Sequence, residues 1–348
     1  MAIQDDGADL KFSEIQTEFG GSNPISISEY YGDGDYVPDG TKDGDDNAIP
    51  ESGEIQLSDF YGSADTPSAL AFTRGIFSGG NQNVIDYITL ASTGNATDFG
   101  NLTRSITYAS SCSNVTRGII CGGTAHSPDI EYITIASAGN GTDFGDFLIS
   151  TGAQAGVSNG TRGVFAGGRT AATSYETNKI DYITIMSAGN STDFGDLTDG
   201  RAQLGGLDNY SRGVFASGYQ AANLNVMDYV TIANTGNASD FGDLTAGRRM
   251  LEGHGGDTRG LFGGGVSGST VIDYITTASA GNATDFGDLT VGRQKLAACG
   301  NDVRAVWGGG QQDLNVIDYV AIASIGNASD FGDLTVARET AAGCQGGT

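Results

Sequence analysis

His254, Cys299, Cys344 and Cys112 are the side chains with most capacity for chemistry, and they fall in one column. Counting six residues on from Arg201 and its equivalents gives Cys112, Val157, Leu207, His254, Cys299 and Cys344. Thiolates and imidazole are zinc ligands, so a chain closing on itself would set four donors on consecutive units around an axis. A crowded axis equally calls for compact residues, and neighbouring strands there stand too far apart to share an ion. No metal and no other cofactor is therefore expected. With only two histidines, His126 and His254, the imidazole ligands of a copper site are lacking. The four cysteines show no paired spacing and are expected as free thiols.

Two further sets of charged residues recur instead of standing alone. Asp86, Glu131, Asp181, Asp228, Asp273 and Asp318 form one, and Arg74, Arg117, Arg162, Arg212, Arg259 and Arg304 the other. Catalytic groups are usually singular and scaffold residues repeated, so these are expected to be ion pairs between units or turn caps. Arg169 and Arg249 are among the arginines of the repeated region that lie outside the recurring positions. No catalytic constellation breaks the pattern, and an enzyme is not expected.

The elements that carry these columns are a tandem array. Tyr87, Tyr132, Tyr182, Tyr229, Tyr274 and Tyr319 are each followed twelve residues later by a phenylalanine, from Phe99 to Phe331. From each of the first five phenylalanines it is eighteen residues to Arg117, Arg162, Arg212, Arg259 or Arg304 and six more to a glycine. Only the step from that glycine to the tyrosine varies, taking 7, 9, 14, 11, 9 and 9 residues. In a repeat architecture the loop that is free to vary is where recognition usually resides.

Each repeat of about 45 residues holds four expected strands, in the third at 162 to 166, 180 to 187, 191 to 197 and 201 to 209. Tyrosine and β-branched residues suit a half-buried pleated surface. Gly189-Asn190 supplies the positive dihedrals of a hairpin, which is the first explanation for the six Asn-x-Ser/Thr sequons at Asn95, Asn140, Asn190, Asn237, Asn282 and Asn327. Six four-stranded units predict an all-β fold, a six-bladed β-propeller over 65 to 348. A linear solenoid fits less well, because its repeats are shorter and have no reason to stop at six. The array begins at Arg74-Gly75-Ile76-Phe77 without a first strand and ends with the spare segment 338 to 345, so the C-terminal strand is expected to close the ring.

A glycine pair ending one strand, a tyrosine in the next and an aromatic residue in the last resemble the kelch and galactose-oxidase propellers over 70 to 345, with Phe in place of the usual Trp. Ser191-Thr192-Asp193-Phe194-Gly195 resembles the opening of the Asp box of sialidase-like propellers; the other copies begin with Ala or Gly, and none has the terminal Trp. A sialidase-like site would also need an arginine cluster and a tyrosine with a carboxylate partner outside the repeat. Either resemblance implies a propeller, and neither implies an activity.

Residues 1 to 64 form a separate segment with 15 acidic and 2 basic side chains. Ile25-Ser26-Ile27-Ser28-Glu29-Tyr30-Tyr31-Gly32 and Ile55-Gln56-Leu57-Ser58-Asp59-Phe60-Tyr61-Gly62 match in kind. With Phe12 to Pro24 they resemble an N-terminal module on structural proteins of tailed bacteriophages, cyanophages in particular. That resemblance implies attachment to a virion, reached after synthesis in the host cytoplasm; the alternative is two short amphipathic strands or turns. Loop 33 to 46 offers six carboxylates but lacks the order of an EF-hand, and is expected to be a solvated linker.

The net charge of −25 argues against nucleic acid, whose binding needs cationic side chains to displace counterions. No apolar run reaches membrane-spanning length, and Met1 to Asp6 lacks the features of a secretory signal. In a four-stranded blade the loop between the second and third strands shares a face with the link between blades. That face is the expected binding surface, with His126, Arg169, Tyr175, Tyr219, Gln220 and Gln311 as candidate contacts for a host glycan or protein. The expected function is a virion appendage such as a tail fibre or tip, anchored through residues 1 to 64 to other virion proteins and present as a homo-oligomer. The alternative is a structural virion component, a capsid decoration or baseplate part; a glycan-cleaving enzyme comes third.

Overall fold

The computed structural model describes residues 72–123, 127–170 and 176–347. The chain divides into two units, Met1–Phe72 and Thr73–Thr348. The expected attachment module and acidic loop lie outside the described residues. Thr73–Thr348 is a six-bladed β-propeller of four-stranded antiparallel blades.

In the third blade the strands, from the channel outward, are Ala155–Ser158, Arg162–Ala166, Lys179–Thr184 and Thr192–Asp196. The other blades repeat this order. The first blade takes its innermost strand from the end of the chain: Ala341–Gly346 pairs antiparallel with Arg74–Gly79, setting Cys344 opposite Ile76. Closure by the C-terminal strand is thus as the sequence predicts.

Each apolar core lies in the seam between two blades. Phe194 and Val164 of blade three, for example, pack with Phe215, Val230 and Ile232 of blade four. Period-two alternation gives each strand two faces; in the second strand of a blade both are covered, so Gly163 to Ala166 are all buried, whereas the outermost strand buries little beyond its phenylalanine.

The repeated phrases are seam fasteners. The Asp-Phe-Gly phenylalanine meets its own blade's tyrosine edge-on, with ring centroids 5.7 Å apart in Tyr319–Phe331 and 6.2 Å in Tyr132–Phe144. The Gly-Asn hairpin of each blade docks on the outermost strand of the blade before it: Gly236 N donates to Phe194 O at 2.8 Å, and Asn237 Oδ1 accepts from Asp196 N at 3.1 Å. Glycine is required in Asp-Phe-Gly because a Cβ on Gly195 would lie 2.4 Å from Gly236 O, at a φ of +153°. Asn95 makes the same bond to Asp333 N at 3.0 Å across the closing seam. The six sequon asparagines therefore serve the ring.

The recurring arginines fasten the opposite side of each blade. Each stacks on its own blade's tyrosine, between 4.2 Å for Arg117 on Tyr132 and 5.1 Å for Arg259 on Tyr274. Each then donates to a carbonyl of the next blade, as Arg117 does to Ile185 O at 3.0 Å and Arg304 to Leu90 O at 2.8 Å. They bridge blades as expected, but through carbonyls and not through ion pairs.

Candidate functional site

The recurring carboxylates find a different set of arginines. Arg201, Arg248, Arg293 and Arg338 sit in the links between blades and bond Asp228, Asp273, Asp318 and Asp86 of the blade that follows, all eight side chains being buried. The threonine three residues before each arginine adds its hydroxyl, as Thr198 does to Asp228 at 2.7 Å. Burial lowers the pKa of Arg248, Arg293 and Arg338, and the facing carboxylates oppose that shift. Removing one member of such a pair leaves a buried charge, so these pairs lock the links.

Two links depart from that scheme, and both flank blade two. Between blades one and two the arginine sits two places earlier: Arg104 pairs with Asp129 at 2.9 Å, while Thr103 donates to Glu131 at 2.7 Å. Between blades two and three Leu148 replaces the threonine and Thr151 the arginine. Asp181 is left with the Ser191 hydroxyl, which donates to it at 3.2 Å and accepts from Leu148 N at 2.9 Å. Burial raises the Asp181 pKa, with the Ser191 bond opposing. The serine that resembles the start of an Asp box thus stands where an arginine is missing. Freed of that arginine, Thr151–Gly152 pairs with Arg169–Thr170 in a small two-stranded ribbon at the base of the longest variable loop. Leu148 and Ile149 beside it are exposed.

The mouth of the channel lies on this same face. Tyr108, Ala153, Gln203, Met250, Lys295 and Thr340 occupy equivalent places, and all six have left-handed backbone, with φ between +51° and +62°. Five of the six main chains join in sequence: Gln203 N donates to Ala153 O, Met250 N to Gln203 O and Lys295 N to Met250 O, each at 2.8 Å, and Thr340 N to Lys295 O at 2.7 Å, while Ala109 N, next to Tyr108, donates to Thr340 O at 3.3 Å. This conformation favours glycine, which the chain uses at many other positive-φ sites, yet no mouth position has it. The backbone is constant here and the side chains are all different.

The candidate residues distribute over this face. Arg169 Nη2 pairs with Glu176 at 2.7 Å, and that hydrogen bond holds the Glu176 carboxyl below its usual pKa. Tyr219 is clamped by backbone bonds to Ala202 and lies under Arg249, whose guanidinium is 4.3 Å from the ring centroid. Gln220 Nε2 donates to Asp199 at 2.8 Å. Gln311 bonds Gln294 and lines a cavity of about 380 Å³ with Ser267 and Gln312, away from the others. His126 and Tyr175 lie outside the described residues.

Arg169 instead shares a cavity of about 230 Å³ with Tyr108, Gly123, Gly152, Ala153 and Gln203. Tyr108 and Gln203 belong to the mouth and escaped the sequence reading, which followed loop length. The available signal was a column within a segment of fixed length where every repeat has a different residue.

Cys112, His254 and Cys344 border a cavity on the axis, yet the column's thiols and imidazole turn toward the seams and not toward one another. A Cβ on Gly163 would come within 2.3 Å of Cys112 Sγ, and one on Gly75 within 2.5 Å of Cys299 Sγ, so these thiols point into seams against the next blade. His254 likewise abuts Gly300, with Nε2 3.2 Å from Asn301 O, and burial lowers its pKa to about 4. Among the described residues no three His, Cys, Asp or Glu side chains gather as a metal site. The axis itself retains a cavity of about 50 Å³ edged by Asp208 and Glu252, whose pKa values burial raises to about 6 and about 7.

No protein-family model matches the chain, and no curated protein sequence matches it closely enough to count as a relative. Among the described residues no helix is long and apolar enough to cross a membrane.

Proposed function

We propose that this chain is a recognition protein of a tailed-bacteriophage virion: the mouth-and-loop face of the propeller binds a host surface glycan or protein, and residues 1 to 64 attach it to the particle. One observation carries the recognition half. The recurring Arg, Tyr, Phe, Gly-Asn and link arginines are consumed in fastening seams, while six different side chains stand on one constant left-handed backbone position. Strain kept where glycine would relieve it suggests a use for the side chains. The virion half rests on the resemblance of the N-terminal phrases.

Exposed Leu148 and Ile149 on the same face favour one alternative, a structural particle component whose propeller contacts a neighbouring virion protein. Immunogold electron microscopy of intact particles with an antibody against residues 66 to 348 separates the two. Label at tail tips or fibres supports recognition, label over the capsid supports decoration, and particles that carry none of the protein would sink both.

A further inference from the structure

Several of the departures from the repeat gather at one place. The displaced Arg104, the missing arginine at Thr151, the ribbon of Thr151–Gly152 with Arg169–Thr170 and the longest variable loop all border blade two or blade three. The cavity of about 230 Å³ sits among them, lined by Tyr108, Arg169, Gln203, Gly123, Gly152 and Ala153. Groups that break a symmetric scaffold at one place mark that place as adapted for a task the other blades do not share.

We infer that this cavity binds one uncharged sugar ring, a neutral pyranose unit of a larger saccharide; the inference rests on the recognition reading above. Size comes first. Drug-sized ligands occupy cavities of roughly 300–1,000 Å³, so about 230 Å³ admits a single ring with its substituents. The walls supply the two surfaces a pyranose presents. Tyr108 offers an aromatic ring for the C–H face, while the Gln203 amide and the Arg169 guanidinium offer donors and an acceptor for hydroxyls. The Arg169 side chain is about two-fifths exposed even while paired with Glu176, so part of its guanidinium stays open to a ligand.

Charge selects the neutral class. Arg169 is the cation among the lining residues, and Glu176 already compensates it at 2.7 Å. Residues 65 to 348 carry 27 acidic and 15 basic side chains, so a uronate or sialate would meet a repulsive field without an unpaired cation to offset it. Lys295, 5.6 Å from the centroid of Tyr108, is itself paired with Glu339 at 2.8 Å.

The test uses the full-length chain. Methyl glycosides of glucose, galactose and N-acetylglucosamine, with galacturonate as the charged control, are titrated by saturation-transfer NMR and calorimetry, alongside binding of fluorescent protein to host cells. At least one neutral glycoside is expected to bind with a dissociation constant on the order of 1 mM, as ligand-efficiency limits suggest for so small a molecule. Galacturonate should bind at least tenfold more weakly. Tyr108→Ala and Gln203→Ala should each weaken binding roughly five- to tenfold with the thermal midpoint unchanged, Ala keeping the same backbone demand as the residue replaced. If cells are bound but no glycoside is, or if galacturonate binds best, the sugar assignment falls and recognition stands. If no cell is bound in any assay, the recognition reading itself falls.

Discussion

Replacing Arg338 by methionine tests the locks between blades at the seam where the chain closes on itself. Arg338 and Asp86 are both fully buried. The guanidinium bonds the Asp86 carboxylate through Nη2 and donates to Val84 O at 2.9 Å. Arg338→Met keeps the apolar stem and removes the charge. Asp86 retains only the Thr335 donors, at 2.6 Å and 3.0 Å, and becomes a buried anion without a counter-charge. That loss should cost about 3–5 kcal/mol at pH 7. Adding Asp86→Asn removes the anion while preserving an acceptor for Thr335, and should recover stability to within about 2 kcal/mol of the parent. Urea unfolding can be followed by the fluorescence of Trp307, the one tryptophan, fully buried in blade six. A single-variant loss below about 1 kcal/mol, or a double variant no more stable than the single, would refute the account.

Glu252→Gln should stabilise the propeller at pH 8 by up to about 3 kcal/mol and do little at pH 4: burial raises this carboxyl to about 7, so the parent loses stability as pH rises from its unfolded pKa to about 7, a loss glutamine cannot suffer. Denaturant titrations at both pH values check it, and destabilisation at pH 8 would mean that the N–H donors of Gly206 and Gly253 outweigh burial. Gly195→Ala, which drives a Cβ to 2.4 Å from Gly236 O, should destabilise by more than 2 kcal/mol; a neutral result would show that the hairpin can retreat. Ser191→Ala removes the hydroxyl facing Asp181 and should cost about 1–2 kcal/mol, less at acid pH, as measured by thermal unfolding at pH 7 and pH 4.5. All four thiols are buried with raised pKa values, Cys344 to about 12, so the folded protein should be inert to a thiol reagent that labels four cysteines on unfolding.

The ring and its closure were legible because period, spacing and a missing first strand survive in the residue order. Partners were less so. Asp228 and Arg212 both recur once per blade and invite pairing, but Arg212 turns to the carbonyl of Ala278 at 2.8 Å, and Asp228 pairs with Arg201. The reason is reach across a seam, which spacing along the chain does not encode. The phase of the innermost strands was also hidden: they are short and glycine-rich, so nothing fixed whether Cys299 faced the axis or a seam. Left-handed backbone at Gln203, Met250 and Lys295 could not be read from residue types that rarely adopt it. What marked the mouth was variety in a fixed column, a signal opposite to the regularity that revealed the fold.

Because Asn95–Asp333, Arg304–Leu90 and Arg338–Asp86 repeat at the closing seam the bonds made elsewhere, the propeller has no chemically distinct first or last blade. Thr73 N donates to Gly346 O at 2.9 Å, so its two ends already touch. A short linker from Gly347 to Thr73 and new ends in the loop after Gly310 should therefore give a circular permutant with the same six seams. The starting point of such a chain is a matter of gene order, and the mouth face can be presented from whichever loop an anchor is attached to.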